Sequence, residues 1–183
     1  YSRRYSQHLR FKRDAILTTY STIKYDNPRF TLRLNRYPKY KNSIIILDSK
    51  LQINLKCKIV RSARKRRVII FTMSNNKEKI LGLKRINCEI IRIQKKYKYF
   101  NLKNILKKTY TLGICSILVE AGGILFTSMY NSKLINELHL FQATKKIGKK
   151  GIPMYLGLNN LSLKNLLIKK RYFKKDRYYH YNI

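Results

Sequence analysis

The sequence predicts an α/β fold built on a largely parallel or mixed sheet. Two observations carry this. Short continuous apolar runs, such as IIIL at 44–47 and VIIFT at 68–72, suit strands covered on both faces. They recur between stretches of helical spacing, and strands alternating with helices are the signature of an α/β sheet. The length, 183 residues, fits one domain large enough to bury a core.

Each element has its own signal. Residues 3–13 read as a basic amphipathic helix ending near Asp14. Residues 15–19 (AILTT) are apolar and β-prone, a buried strand. Asp26-Asn27-Pro28 signals a turn, because Asp and Asn bond nearby backbone and Pro forces an extended residue before it. Residues 30–33 lead away, and Pro38 marks a loop. IIIL ends in Asp48-Ser49. VIIFT and 88–93 (CEIIRI) are further strands, and 102–108 is helical by spacing. Residues 114–119 (ICSILV) form another buried strand, 124–131 the helix after it, and 137–141 (ELHLF) the next strand. The segment 164–183 is rich in Lys and Tyr, and reads as a last strand pair or a solvated tail. The domain is therefore expected over 1–163, with 164–183 as its end or an extension.

The formal net charge is +34, from 42 Lys and Arg against 8 Asp and Glu. Such an excess suggests a nucleic-acid partner, since clustered cations bind phosphates by releasing counterions. Ile, Lys, Asn, Tyr, Phe and Met supply about half of the chain, and all six have A/T-rich codons. Compositional drift produces the same charge, so charge alone separates the two readings poorly. The acids are more informative: Asp14, Asp26, Asp48, Glu78, Glu89, Glu120, Glu137 and Asp176. Hydrophobic residues at 44% exclude a disordered basic tail. Three cysteines (Cys57, Cys88, Cys115) without a CxxC argue against a disulfide scaffold and make a reducing cytoplasm the default. Residues 109–132 carry a single charge, Glu120. A carboxylate at the centre of the stretch, followed by two glycines, fits strand–turn–helix better than a membrane span.

Three motifs are candidates for chemistry. In VEAGGILFTS (119–128) a strand ends in Glu120 and two glycines open a helix. Glycines allow close backbone approach, and free N–H groups at a helix start favour phosphate; a plain βα turn is the equal alternative. In 14–33 (DAILTTYSTIKYDNPRFTLR), Thr22, Asp26 and Arg33 gather around one turn after a strand, where α/β folds place ligands. On local pattern alone, Asp26 as a simple turn-former before Pro28 is the favoured reading. Asp48-Ser49 offers a hydroxyl to a cofactor or a cap to the next turn, and the cap is favoured. The three histidines (His8, His139, His180) are scattered, and His139 reads as a core or edge residue of a strand. No metal site is expected, and no HxE with PCxxC, HExxH, P-loop or GxSxG is present. The basic runs 64–67 and 145–150 read as solvated loops. Residues 169–175, basic with interleaved Tyr172 and Phe173, form the most RNA-like patch.

Taken in order, three blocks resemble the reductase domain of bacterial RibD-type riboflavin biosynthesis proteins. LRFKRDAILTTYSTIKYDNPRFTLR (9–33) is similar to the family's "LRA…DAIL…TV.ADDP.LTVR". IIILDS (44–49) is similar to its "R.VLDS" strand. GICSILVEAGGILFTSMYNSKLINELHLF (113–141) is similar to "I.S..VE.G..L…L…LVDEL". The likeness covers about residues 3–161.

The resemblance implies a dihydrofolate-reductase-like fold, a central mixed, mostly parallel sheet flanked by helices. It implies NADPH-dependent reduction of 5-amino-6-(5-phosphoribosylamino)uracil by hydride transfer to C1′ of the ribose. By matching position, Arg10, Phe30, Arg33 and Glu120 line the substrate site. Thr22, Asp26, Ser49, Gly122, Gly123, Ile124, Leu125, Phe126, Thr127 and Ser128 contact NADPH. Asp26 and Glu120 are the candidate chemical groups, and no metal is implied. The family's deaminase half is absent from the sequence, so a separately supplied zinc deaminase is the expected partner activity, and a homodimer is expected. The family's first strand is expected ahead of Tyr1 and is missing. Thr19 and Ser21 stand where many members carry glycine, Asn136 replaces a common Asp, and Thr144 stands where many have Pro. A second reading is an inactive reductase fold reused as a basic RNA- or ribosome-associated protein; retention of Arg10, Asp26, Arg33 and Glu120 argues against it. No membrane association is expected.

Overall fold

The computed structural model describes residues 1–33, 41–94, 99–145, 148, 151–157, 163 and 166–183. Pro38, most of the 145–150 run and the start of the 164–183 segment lie outside the described residues. The elements are α1 (Ser2–Phe11), β1 (Ala15–Thr19), α2 (Tyr20–Asp26), β2 (Ser43–Leu47), α3 (Lys58–Arg61) with a 3-10 turn (Ser62–Arg64), β3 (Val68–Thr72), α4 (Lys77–Arg85), β4 (Cys88–Arg92), α5 (Leu102–Thr111), β5 (Ile117–Val119), α6 (Gly123–Asn131), β6 (Glu137–Gln142), β7 (Leu167–Phe173) and β8 (Asp176–Asn182). They form two compact units, one of residues 7–121 and one of residues 1–6 with 122–183.

The 7–121 unit is a five-stranded sheet in the order β4-β3-β2-β1-β5, every pairing parallel. Ile16, Ile44, Ile46, Val68 and Ile70 point to one face and join Ile23, Ile53, Ile59, Val60 and Leu83 in one core. Their neighbours on the opposite face, Leu17, Ile45, Ile69 and Phe71, are equally buried. Burial on both faces is why β2 and β3 read as unbroken apolar runs. The chain steps outward from β1 to β4, and then α5 returns it to β5 beside β1. The strand order therefore reverses at β1 and β5, and in open α/β sheets ligands bind outside the carboxyl ends of the strands at such a point.

Asp14 fixes the start of this pair. Its carboxylate accepts from the Cys115 and Ser116 amides at 3.0 and 2.8 Å. The Ser116 amide does most to hold the carboxyl below its ordinary value.

In the second unit, β6-β8-β7 is an antiparallel sheet. Tyr178 is fully buried among Tyr5, Phe141 and Phe173, with ring centroids 4.8, 5.1 and 5.7 Å away. The C-terminal segment is thus a strand pair. Phe173 of the RNA-like patch belongs to this aromatic core, and Tyr172 is exposed.

Several elements differ from expectation. The residues read as a turn at Asp26 are the end of α2. Thr19 caps this helix, accepting from the Thr22 amide at 3.4 Å, and Asn27 ends it in the left-handed region at φ 39. α3 and α4 had no sequence counterpart. The 114–119 strand shrinks to Ile117–Val119 and is half-buried, because β5 lies at the end of the strand order. Among the described residues no helix is long and apolar enough to cross a membrane. All three cysteines are free.

Asp14→Asn tests the β1–β5 clasp. A carboxyl whose folded pKa is depressed adds stability above its unfolded value, near 3.8, and loses it as pH falls through the folded value. The variant should therefore be less stable by about 1 kcal/mol in urea unfolding at pH 7, the low end for amide bonds to an exposed carboxylate. The gap should close as pH falls below the unfolded value and through the lower folded one.

Candidate active site

At the carboxyl end of β5, Glu120 is held against β1 by its own amide, which donates to the Leu17 carbonyl at 2.9 Å. Its carboxylate receives a two-pronged guanidinium. Arg10 Nε reaches Oε1 at 2.6 Å and Nη2 reaches Oε2 at 2.8 Å. Parallel N–H donation to a carboxylate is the strong geometry for such pairs. Arg10 Nη1 also donates to the Thr31 carbonyl at 3.2 Å, and its Cζ lies 5.5 Å from the Phe30 ring centre. The buried amide of Asn42 anchors this end of α1, donating to the Arg10 and Arg13 carbonyls at 2.7 and 2.5 Å. On the adjoining strand, the Thr18 hydroxyl is buried without a hydrogen-bond partner among the described residues. Such an orphan is costly to leave unmet, and it lies at the strand pair where the order reverses.

Phe30 is buried, with its backbone in the left-handed region at φ 44. Arg66 holds that turn, donating to the Phe30 carbonyl at 3.0 Å and the Arg29 carbonyl at 2.5 Å. Burial, with the nearby Arg10 charge, lowers Arg66 to about 10. Its neighbour Arg67 forks onto Glu89 at 2.7 and 2.9 Å. The run 64–67 is therefore not a plain solvated loop: two of its arginines are half-buried and bonded.

The remaining expected residues are spread along the same unit. Thr22 and Asp26 lie on α2 rather than around a turn, because Thr19 starts a helix there. Thr19, Ser21 and Thr22 bring three hydroxyls together at the end of β1, at 2.9 and 3.2 Å. Asp26 and Arg33 are exposed; the Arg33 amide donates to Gln7 Oε1 at 3.0 Å. Asp48 takes the capping role, its buried carboxylate accepting from the Ile53 amide at 2.8 Å, and burial pushes its pKa up. Ser49 is tied to the end of β3 by its carbonyl, which accepts from the Met73 amide at 3.0 Å. Beyond the ends of β3 and β4 lies a pocket of about 440 Å³ lined by Met73, Asn75, Arg92, Ile93 and Gln94. Arg92 bonds Asn75 there.

Gly122, Gly123, Ile124, Leu125, Phe126, Thr127 and Ser128 belong to the other unit. Gly122 precedes α6 with no side-chain cap, and a Cβ there would meet open space. Gly123 has a packing role instead: a Cβ would meet the Pro153 carbonyl and lie 2.9 Å from that of Met154. Thr127 Oγ1 accepts from the Leu156 amide at 2.8 Å. Ile124 and Ser128 are exposed, Phe126 is half-buried, and Leu125 is buried. The sequence reading missed Asn42, Arg66 and Arg92; only the rule that ligands gather at strand carboxyl ends would have pointed to Arg92.

Comparison with known proteins gives one family. The model of the RibD C-terminal domain matches residues 1–176. The riboflavin biosynthesis protein RibD of Actinobacillus pleuropneumoniae is 29% identical over 152 residues, 82% of this chain and 40% of that protein. The 5-amino-6-(5-phosphoribosylamino)uracil reductase of Buchnera aphidicola is 27% identical, over 88% of this chain and 80% of that protein. The solved structure of Acinetobacter baumannii RibD superposes with a TM-score of 0.79 at 21% identity, over 99% of this chain and 50% of that one. The fold is thus the dihydrofolate-reductase-like α/β arrangement. The chain spans about 40% of the length of the first curated RibD relatives it matches. The RNA-associated reading finds no support among these relatives.

The Arg10–Glu120 pair is partly buried, at 16% and 26% side-chain exposure. Exposed pairs are worth up to about 1 kcal/mol, and breaking a buried one costs about 3–5 kcal/mol. A double-mutant cycle with Arg10→Gln and Glu120→Gln, read by urea unfolding, should give a coupling of about 1–2 kcal/mol. Additive single variants would contradict the pairing.

Proposed function

The chain belongs to the RibD C-terminal domain family, and on that premise we propose that it reduces 5-amino-6-(5-phosphoribosylamino)uracil to its ribitylamino product with NADPH. The observation that carries this reading is the forked Arg10–Glu120 pair at the carboxyl end of β5, beside the unmet Thr18 hydroxyl. A charged pair of this quality at the strand reversal is a ready platform for a polar substrate. A purely structural pair would be equally well placed anywhere on the sheet.

A nicotinamide cofactor, when bound, supplies the hydride that adds to C1′ as the C1′–O4′ bond breaks and O4′ takes a proton, opening the sugar. Everything else is positioning. Glu120 accepts from donors of the uracil or ribose while Arg10 holds its carboxylate in orientation. Arg10 uses one donor on each of its three nitrogens internally, leaving two N–H groups, and with the exposed Arg33 it can meet the substrate phosphate. Phe30, fixed by Arg66, is the apolar wall under Arg10.

The residues also fit a dinucleotide. The pocket beyond β3 and β4 offers Arg92, whose guanidinium suits the extra phosphate that distinguishes NADPH from NADH. Ser49 adjoins that edge, and the Thr19, Ser21 and Thr22 hydroxyls end β1. Asp26 is exposed and is assigned to the cofactor. The start of α6 at Gly122, which has no side-chain cap, would take a phosphate on its first N–H groups. Gly123 and Thr127 act there by shaping the backbone. A zinc deaminase of the same pathway, supplying the substrate, and a homodimer complete the proposal.

Steady-state reduction by the full-length protein tests it. Wild type should turn over the deaminated pyrimidine with NADPH. Glu120→Gln and Asp26→Ala should each lower kcat/KM by about 10²-fold, the scale for losing a positioning group. Both variants at wild-type rate would refute the site, and an inert wild type would refute the activity.

A further inference from the structure

We propose that Glu137, His139 and His180 form a binding site for a divalent transition-metal ion of the zinc type. The strands create it. Residues two apart on a strand share a face, so Glu137 and His139 lie on one side of β6. His180 on β8 is the register partner of His139. The chain has three histidines, and two of them meet here.

The spacing suits a metal. Both His139 Nε2 and His180 Nε2 approach the same carboxylate oxygen, Glu137 Oε2, at 3.2 and 3.3 Å. Ligands about 2.1 Å from a tetrahedral zinc ion are about 3.4 Å from one another. Two of the three edges are thus already at coordination length. All three ligand atoms lie within 4.8 Å of one another, so the third edge closes by side-chain rotation. The two rings stack with centroids 4.5 Å apart. His180 Nε2 is buried and, beyond this approach to Glu137, has no hydrogen-bond partner among the described residues, and a bound ion would satisfy it.

The next layer is also in place. His139 Nδ1 lies 2.8 Å from Tyr178 Oη. A ring N–H bonded there leaves Nε2 with its lone pair toward the site, as in metal-ligating histidines generally. Glu137 is 41% exposed, so an ion can enter and a fourth position stays open to water. Two histidines and a carboxylate with one open position is a ligand set zinc accepts. The ion would cross-link β6 to β8.

The test is titration of the metal-free full-length protein with Co²⁺, followed by Zn²⁺ competition. The proposal predicts the visible bands of tetrahedral cobalt, abolished by zinc. They should be absent in His180→Ala and in Glu137→Gln, and retained in His8→Ala and Cys115→Ser. Tyr178→Phe should weaken binding about tenfold. Far-UV circular dichroism checks folding; if His180→Ala unfolds, the exposed, near-isosteric Glu137→Gln decides. No cobalt bands in wild type would overturn the site. Bands that survive both ligand variants, or that vanish in Cys115→Ser or His8→Ala, would place the metal elsewhere and overturn it too.

Discussion

Eight carboxylates serve forty-two lysines and arginines in this chain, and the placement of those few acids organises the rest. Asp14 ties the start of β1 to the approach of β5. Asp48 closes the turn after β2, Glu89 takes Arg67, and Asp176 accepts from Ser2 at 2.6 Å. Glu78 sits in the first turn of α4, where negative charge is favoured. Glu120 takes Arg10, and Glu137 takes two histidines. Asp26 is exposed at the end of α2 and has no such task among the described residues. In so cationic a chain, an acid without a structural task is the natural candidate for a functional one.

The parallel sheet gives Glu120 its meaning. Strand order reverses between β1 and β5, the kind of point outside whose carboxyl ends α/β sheets bind ligands. Glu120 stands there because its amide continues the β1–β5 ladder one residue past Val119. Arg10 arrives from α1, whose end Asn42 anchors through two carbonyls. Arg66 fixes Phe30 in the same way from below the 29–30 turn. The candidate site is thus a set of backbone anchors supporting one ion pair, which suits the proposed chemistry, since that asks for orientation rather than a nucleophile.

How much of this was legible follows from how local each signal is. IIIL and VIIFT announced β2 and β3 because burial on both faces leaves no polar alternation. α2 was missed because its sequence, YSTIKYD, is poor in strong helix formers; the Thr19 cap and the buried Ile23 hold it. α4 was missed because Gly82 interrupts it and Leu83 is its one buried residue. Gly82 lets Leu55 pack closely, since a Cβ there would lie 3.0 Å from its Cδ2. Arg10 and Glu120 were each picked out by resemblance, but their pairing spans 110 positions and exists only once β1 and β5 are neighbours. His139 and His180 looked scattered for the same reason, and Arg66 looked solvated because its carbonyl partners lie on another loop.

The central claim is hydride delivery to the ribose at this site. It is tested most directly by running the reaction with NADPH deuterated stereospecifically at C4 of the nicotinamide and analysing the product by mass spectrometry and NMR. The account predicts one deuterium at C1′ of the ribitylamino product, delivered from one of the two labelled forms. A product free of label from both forms would contradict it.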